Sequence, residues 1–244
     1  MPALLLAAAL LYSPPSIMGR GVHPAAWAGS PLELFDAPAG LSRLRGPEAG
    51  IWARSFREGP GEIGFYGGLP LPGDRFSAGA LVSADTGVDN LTFALGGSWV
   101  VTGDPIGFME GLFGPSIVLG CSGGTVDNGE GHDPFATASL QFSMFPSFAL
   151  GAASTWIPDA RPRMSLGFTH VFNRAFTLNA GFTPDSPEIG AVLRVSPDLS
   201  FTAGTGGRDW HSGVLLQAGP FRIDLSVVFD GDDAEGGAGM SWRI

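Results

Sequence analysis

The chain contains one serine pattern that could support hydrolysis. Residues 120–124 read Gly-Cys-Ser-Gly-Gly, which fits the Gly-x-Ser-x-Gly signature of serine hydrolases. In those enzymes the serine occupies a sharp turn between a strand and a helix. The residues after Ser122 are rich in glycine and carry no helical periodicity. We therefore interpret residues 120–124 as a glycine-rich strand end and predict that the protein is not an enzyme.

The histidines do not form a catalytic or metal-binding pattern either. His211 and Ser212 are adjacent, so on a strand their side chains point to opposite faces and cannot meet in one lumen. His170 falls on the apolar side of a predicted strand, and His23 and His132 are distant in sequence. Zinc sites need ligands grouped at short spacings. The sequence therefore predicts no catalytic residue, no metal and no cofactor.

Composition narrows the class of protein and its partners. The 244 residues carry a formal net charge of −10 and no lysine, which argues against nucleic acid as a partner. Cys121 is the single cysteine, and we expect it to be a small buried residue. The 38 glycines and 20 prolines disfavour helices. Mean hydropathy is +0.21, yet beyond the first twelve residues no apolar run approaches the ~20 residues of a membrane helix.

Because helices are disfavoured, we expect strands to position the polar residues. The spacing of apolar residues along the chain also indicates strands. Phe221, Ile223 and Leu225 alternate with Arg222 and Asp224, so one face of this strand is apolar and the other is polar. Similar alternation recurs along the chain. We identify fourteen candidate strands, at residues 49–57, 61–69, 75–84, 90–101, 115–126, 135–145, 147–157, 163–172, 175–183, 188–196, 199–207, 211–219, 221–229 and 237–244.

The connections between these strands alternate in length. Residues 197–198 and 219–220 are two-residue turns, whereas residues 126–134 and 230–236 are longer and acidic. This asymmetry is typical of an up-and-down antiparallel transmembrane β-barrel with both termini on the short-turn side. The long connection of residues 102–114 falls on that side, which predicts a flap or a strand extension there. We predict an all-β barrel of about 14 strands; a soluble β-sandwich also alternates and is the alternative.

The first 48 residues are predicted to lie outside the barrel wall. Residues 1–28 begin with an apolar stretch and end in Ala-Trp-Ala, which indicates a secretory signal peptide. Residues 29–48 have no strand pattern, and we expect them to form a compact, hatch-like segment. Residues 49–244 are predicted to form the barrel. These features predict export to the outer membrane of a Gram-negative-type cell, in contact with outer-membrane lipid.

Several stretches resemble the FadL-like outer-membrane proteins, the long-chain fatty-acid transporter superfamily, and especially its PorV-like branch. The sequence Asp-Ala-Pro-Ala-Gly-Leu of residues 36–41 stands where that family carries an Asn-Pro-Ala-Gly-Leu-like motif, with alanine replacing the asparagine. Residues 64–71, 91–99 and 237–244 are similar to its early hairpin, its next strand and its closing strand. The resemblance implies a fourteen-stranded barrel with an inward-folded hatch, whose motif would be Asp36, Pro38, Ala39, Gly40 and Leu41.

Two functional hypotheses follow from this reading. The first is passive transport of hydrophobic, long-chain-fatty-acid-like small molecules, which the resemblance and the small inward-facing residues favour. The second is a non-transporting barrel, either a PorV-like secretion accessory or a structural surface protein. The candidate luminal polar residues are Asn179, Glu188, Arg194, Gln217, Arg222, Asp224 and Arg243. The candidate C-terminal signal for the barrel assembly machinery is Met240, Trp242 and Ile244.

Overall fold

The chain forms fourteen strands preceded by two short 3-10 helices. The computed structural model describes residues 31–55, 61–73, 75–85, 91–106, 113–127, 132–158, 160–183, 187–206, 209–230 and 233–244. The predicted signal peptide, residues 1–28, lies outside these described residues. The 3-10 helices span Pro31–Leu34 and Pro38–Arg43. The strands are β1 Glu48–Ser55, β2 Glu62–Pro70, β3 Phe76–Asp85, β4 Leu91–Gly103, β5 Ser116–Asp127, β6 His132–Phe145, β7 Phe148–Trp156, β8 Arg163–Val171, β9 Phe176–Phe182, β10 Pro187–Ser196, β11 Leu199–Gly206, β12 Asp209–Ala218, β13 Phe221–Asp230 and β14 Asp233–Arg243.

The strands close into one barrel. Each strand pairs antiparallel with its neighbours in sequence, and β1 pairs with β14 from Glu48 opposite Arg243 to Ser55 opposite Gly236. This arrangement confirms the predicted all-β, up-and-down barrel of 14 strands and excludes the β-sandwich. β6 and β14 begin three and four residues earlier than predicted, at His132 and Asp233. Backbone pairing extends there into acidic sequence, because a ladder of backbone hydrogen bonds does not require apolar side chains.

The two faces of the barrel wall differ in chemistry. On β6, Thr137, Ser139 and Gln141 are buried on the inner face, whereas Leu140 between them is 41% exposed on the outer face. The same alternation runs around the barrel, with most large apolar side chains outward and mainly small or polar ones inward. Trp52, Tyr66 and Phe135 are large residues that face inward. Cys121 pairs with Ala138 and is exposed on the outer face, so the expectation that it is buried is wrong. The outer face is therefore an apolar belt.

Aromatic rings mark the end of the barrel that carries the chain terminus and the short turns, which we call the terminal end. There the ring centroids of Phe76 and Trp99 lie 6.2 Å apart, and those of Phe221 and Trp242 lie 6.3 Å apart. At the opposite, loop end, Trp210 is 66% exposed. Aromatic girdles at both interfaces are typical of membrane barrels. None of the helices in the described residues is long and apolar enough to cross a membrane.

A charged contact joins the first and last strands where the barrel closes. The Arg243 Nη2 atom lies 3.2 Å from the Glu48 Oε2 atom, and the Glu48 side chain is 1% exposed, the Arg243 side chain 35%. Removing the partner of a buried charge is costly, but exposure of Arg243 screens this pair, so Arg243→Met should lower the free energy of unfolding by about 1–2 kcal/mol. Urea titration followed by heat-modifiable gel mobility measures this loss in free energy. Adding Glu48→Gln should recover part of it, and equal stability of the single variant and the parent would contradict the prediction.

Candidate functional site

The amino-terminal end of the described chain lies inside the barrel. Residues 31–44, which we call the inner segment, contact the inner face of β2–β6. Pro38 begins the second 3-10 helix, a position that suits proline because its fixed φ matches the helix and its nitrogen needs no partner. The predicted hatch motif, residues 36–41, lies within this segment. The structure therefore places these residues against the wall of the lumen.

Apolar side chains attach the inner segment to the wall. Leu34 and Leu41 are 0% exposed, and the rings of Phe35 and Phe135 lie 4.9 Å apart. Ile157 packs against the edge of this cluster. Burial of each large side chain stabilises the docked segment by roughly 1.5–3 kcal/mol. The cluster comprises Leu32, Leu34, Phe35, Leu41, Leu44, Trp52, Tyr66, Leu81, Ala94, Val126 and Phe135.

Two glycines allow the inner segment to approach the wall closely, Gly120 through the segment's backbone and Gly96 through the Leu34 side chain. A Cβ atom added at Gly120 would lie 2.0 Å from the Ala39 backbone nitrogen. A Cβ atom at Gly96 would lie 2.7 Å from Leu34 Cδ2. Both distances are far below van der Waals contact. Any residue larger than glycine at position 120 would therefore displace the inner segment.

Side-chain hydroxyls of the wall satisfy the backbone of the inner segment. The Ala39 N–H donates to Ser139 Oγ over 2.8 Å. The Phe35 carbonyl oxygen accepts from Thr137 Oγ1 at 2.8 Å and from Thr155 Oγ1 at 3.2 Å, and Ser122 Oγ donates to the Leu34 carbonyl. Buried backbone groups outside regular structure need such partners. The wall therefore orients the segment as well as burying it.

The double variant Thr137→Val/Thr155→Val tests these hydroxyls. It removes two side-chain hydrogen bonds to the Phe35 carbonyl, which should weaken docking of the segment by about 1–2 kcal/mol. Hydrogen–deuterium exchange of residues 34–44 should then accelerate about tenfold. Thr125→Val is the matched control, since Thr125 pairs with Phe93 and Pro134 on the outer face. Exchange that is unchanged in the double variant would contradict this role for the hydroxyls.

The described ends of the long connection at the terminal end extend β4 and bury Phe113. β4 runs two residues beyond its predicted end, to Gly103, and Ile106 and Phe113 then form an isolated bridge. Phe113 is 2% exposed, and the Arg43 guanidinium lies 4.4 Å above its ring. Its N–H donates to the Pro146 carbonyl over 2.9 Å. The predicted strand extension is thus found in β4. The predicted flap falls mainly on residues 107–112, which lie outside the described residues.

Asp36, at the turn of the inner segment, lies near an opposite charge on the wall. Burial raises the pKa of the Asp36 carboxyl above its usual value, while the nearby positive charge of Arg163 works in the opposite direction. Arg163 is the first residue of β8 and lies at the loop end of the barrel. Asp36 therefore faces a basic side chain of the opposite wall. The sequence motif contains Asp36, but its charged partner is 127 residues away and no local pattern indicates it.

The predicted luminal polar residues all lie on the inner face but do not form one site. Arg194, Gln217, Arg222, Asp224 and Arg243 lie towards the terminal end, Glu188 lies at the loop end, and Asn179 lies between them. Arg222 Nε and Asp224 Oδ2 form an ion pair at 3.0 Å. The Gln217 amide donates to the Gly219 carbonyl over 2.6 Å. The predicted assembly-signal residues lie on the outer side, where Met240 is 46%, Trp242 48% and Ile244 68% exposed.

The residues that sequence reasoning missed are the anchors of the inner segment. Gly120, Ser122, Thr137 and Ser139 are small inward-facing residues on β5 and β6. Their alternation with outward apolar residues was visible, and it assigns them correctly to the inner face. No feature of the sequence distinguishes them from small residues on the other strands. Their role depends on contact with a segment about 100 residues away.

Comparison with solved structures identifies proteins of the same fold. No protein-family model and no curated protein matches this sequence. The Ralstonia pickettii toluene transporter TbuX superposes with a TM-score of 0.67 at 11% identity, covering 95% of this chain and 98% of that chain. The monoaromatic hydrocarbon channel CymD superposes with a TM-score of 0.65 at 12% identity, covering 95% of this chain and 97% of that chain. The Pseudomonas putida toluene transporter TodX superposes with a TM-score of 0.59 at 13% identity, covering 94% of this chain and 97% of that chain. The chain therefore shares the barrel fold of these proteins over nearly its whole length.

Proposed function

We propose that the protein spans the outer membrane and allows small hydrophobic molecules to pass through its lumen without an energy source. The outer face supports the membrane address, since leucine, phenylalanine and valine point outward between two aromatic girdles. A closed barrel satisfies every wall backbone group without water, which the hydrocarbon core requires. In water the same outer face would expose an apolar surface around the whole circumference.

The position of the inner segment is the observation that carries the transport proposal. Fourteen strands about 4.8 Å apart and tilted by about 40° give a barrel roughly 28 Å across. A single short helical segment is at most about 12 Å wide. Its contacts concentrate on β2–β6, so it restricts one side of the lumen. We infer that solutes pass along the opposite wall, which β8–β14 form.

The fold neighbours favour small aromatic hydrocarbons as the solutes. TbuX and TodX are toluene transporters, and CymD is a monoaromatic hydrocarbon channel. Toluene-sized molecules are therefore our first candidates, and long-chain fatty acids, which the sequence resemblance implies, are the second.

Uptake by intact cells tests this proposal. Outer-membrane-bearing cells that express the full chain should take up radiolabelled toluene at low concentration faster than cells with an empty vector. Labelled oleate in the same cells distinguishes aromatic from fatty-acid transport. Heat-modifiable mobility of the extracted protein confirms that the barrel is folded. If folded barrel leaves both uptake rates at the vector level, the transport proposal fails and the non-transporting barrel is favoured.

A further inference from the structure

An aromatic cluster that contains a histidine lies on the outer face of β7–β9, at the terminal end of the barrel. The His170 ring packs edge-on against Phe172, with centroids 4.4 Å apart, and lies 6.3 Å from the ring of Phe148. The rings of Phe148 and Phe168 are 6.3 Å apart, and those of Phe172 and Phe176 are 5.6 Å apart. These side chains face outward, because the residues that alternate with them on the three strands are buried. We call Phe148, Phe168, His170, Phe172 and Phe176 the rim cluster.

The imidazole of His170 is the polar group of the rim cluster. Its neighbours across the strands are Phe148 on β7 and Leu178 on β9. Within the described residues its contacts are with aromatic rings, and neither of its nitrogen atoms forms a hydrogen bond. A polar group that faces lipid without a partner is costly. Because Phe172 is 57% exposed, the cluster is open to its surroundings, and a lipid head group can supply the missing partner.

A hydrogen-bonded turn holds a cation next to the rim cluster. Arg174 is exposed in the middle of the turn between β8 and β9. The Asn173 Oδ1 atom accepts from the Ala175 N–H at 2.8 Å and from the Phe176 N–H at 2.9 Å. The Phe172 N–H donates to the Phe176 carbonyl over 3.1 Å. These bonds fix the backbone on both sides of Arg174, so its guanidinium extends from a defined point of the rim.

His170 and Arg174 can reach the same phosphate group. Arg174 follows His170 by four residues, so their Cα atoms are at most about 13 Å apart. The arginine side chain is long, and its apolar stem can lie along the phenylalanines while its charged end stays among the head groups. A lipid phosphodiester has two free oxygen atoms. It can therefore accept from the guanidinium and from an imidazole N–H at the same time.

The charges around this turn favour an anionic lipid. On one side the β6–β7 turn, residues 145–148, reads Phe-Pro-Ser-Phe and carries no charge. On the other side the Arg194 N–H donates to the Ala175 carbonyl over 2.7 Å, so a second arginine lies beside the turn, and Asp198 is the acid of the following turn. The long connections at the loop end are acidic and disfavour such a lipid there.

We propose that His170 and Arg174 bind the phosphate of an anionic phospholipid whose acyl chains pack against the phenylalanines of the rim cluster. The short turns of membrane barrels face the periplasm, so the lipid belongs to the inner leaflet of the outer membrane. This site rests on the proposed position of the barrel in the outer membrane. It is independent of which solute passes through the lumen.

Lipid titration of the delipidated full chain in detergent, followed by native mass spectrometry, tests this site. Three probes share the same acyl chains: dioleoyl phosphatidylglycerol has an anionic phosphate head group, dioleoyl phosphatidylcholine is zwitterionic, and dioleoylglycerol has no phosphate. For the first lipid bound, we expect phosphatidylglycerol to bind about tenfold more tightly than dioleoylglycerol, with phosphatidylcholine between them. Equal affinity for phosphatidylglycerol and dioleoylglycerol would overturn the phosphate site. Phosphatidylcholine that binds as tightly as phosphatidylglycerol would overturn the preference for an anionic lipid.

Two variants and two matched controls locate the binding. Arg174→Gln and His170→Phe should each lower the affinity for phosphatidylglycerol about fivefold to tenfold and leave dioleoylglycerol binding unchanged. Arg75→Gln alters an exposed arginine on another turn of the terminal end, beside the stacked pair of Phe76 and Trp99. His132→Phe alters an exposed histidine at the loop end. Both controls should keep the affinity of the parent protein.

The outcomes separate this site from general attraction to the rim and from the transport proposal. Full affinity in both site variants, or an equal loss in Arg75→Gln, would overturn the site. Heat-modifiable mobility identifies a variant that has not folded, and the other site variant then decides. Toluene uptake is measured separately in cells, so its failure counts against transport, whereas loss of the lipid preference with uptake intact counts against this site alone.

Discussion

Gly120→Val is expected to dislodge the inner segment from the barrel wall. The added Cβ would fall 2.0 Å from the Ala39 nitrogen, and a clash with backbone cannot be relieved by a change of rotamer. We expect docking to weaken by about 3 kcal/mol, at the upper end of the cost of overpacking. Hydrogen–deuterium exchange of residues 34–44 should then accelerate more than a hundredfold. Proteoliposomes carrying the variant should also swell faster in a small sugar than those carrying the parent protein.

Gly239→Ala is the matched control for this change. Gly239 also faces inward, but on β14, where an added Cβ would have its nearest neighbours at 3.7 Å, which is ordinary contact. Exchange and swelling should therefore stay at the parent values. If Gly120→Val swells no faster than Gly239→Ala, the inner segment does not restrict the lumen. The model of passage along the opposite wall would then lose its main support.

Leu140→Arg is expected to impair folding of the barrel into membranes. Leu140 lies on the outer face near the middle of β6, between Leu119 and Ala152 of the neighbouring strands. An arginine on the lipid face near the bilayer midplane costs about 2–4 kcal/mol, whereas the same residue near an interface costs about 0–1 kcal/mol. The free energy of folding into phospholipid vesicles, measured by urea titration with heat-modifiable mobility, should fall accordingly.

Thr125→Arg provides the comparison near the rim. Thr125 is on the outer face close to the loop end of β5, opposite Pro134. Its substitution should change the folding free energy by less than about 1 kcal/mol. Equal losses for the two arginine variants would show that the outer face does not lie across a bilayer. That result would contradict the proposed location in the outer membrane, on which the transport proposal depends.

The wall of this barrel was predictable because its two faces meet different surroundings. Phe221, Ile223 and Leu225 alternate with polar residues, and the structure places them on the outer face. The two-residue turn at Gly219, with its φ of 60°, likewise follows from local sequence. Pairing of consecutive strands then gives the topology without long-range information. Fourteen strands and their order could therefore be inferred before the structure.

The interior was less predictable because its contacts join distant parts of the chain. Small inward residues occur on every wall strand that was predicted, so nothing local identified Gly120 or Ser139 as contacts of the inner segment. Phe113 could have faced lipid or the lumen, and its position beneath Arg43 decides the question. Cys121 was misassigned because its own chemistry favours burial, whereas its position two residues after Leu119 places it on the outer face of β5.

The anchoring of the inner segment also sets an order of assembly. Phe35 bonds Thr155 across 120 residues, and Ala39 bonds Ser139 across 100. The segment is synthesised before every strand of the wall, yet its hydroxyl partners exist in place only when β5, β6 and β7 have paired. Contacts of such sequence separation form late, because long loops must close first. We therefore expect the barrel wall to form before its interior, so that the leucines of the segment need shielding from water until the wall has closed.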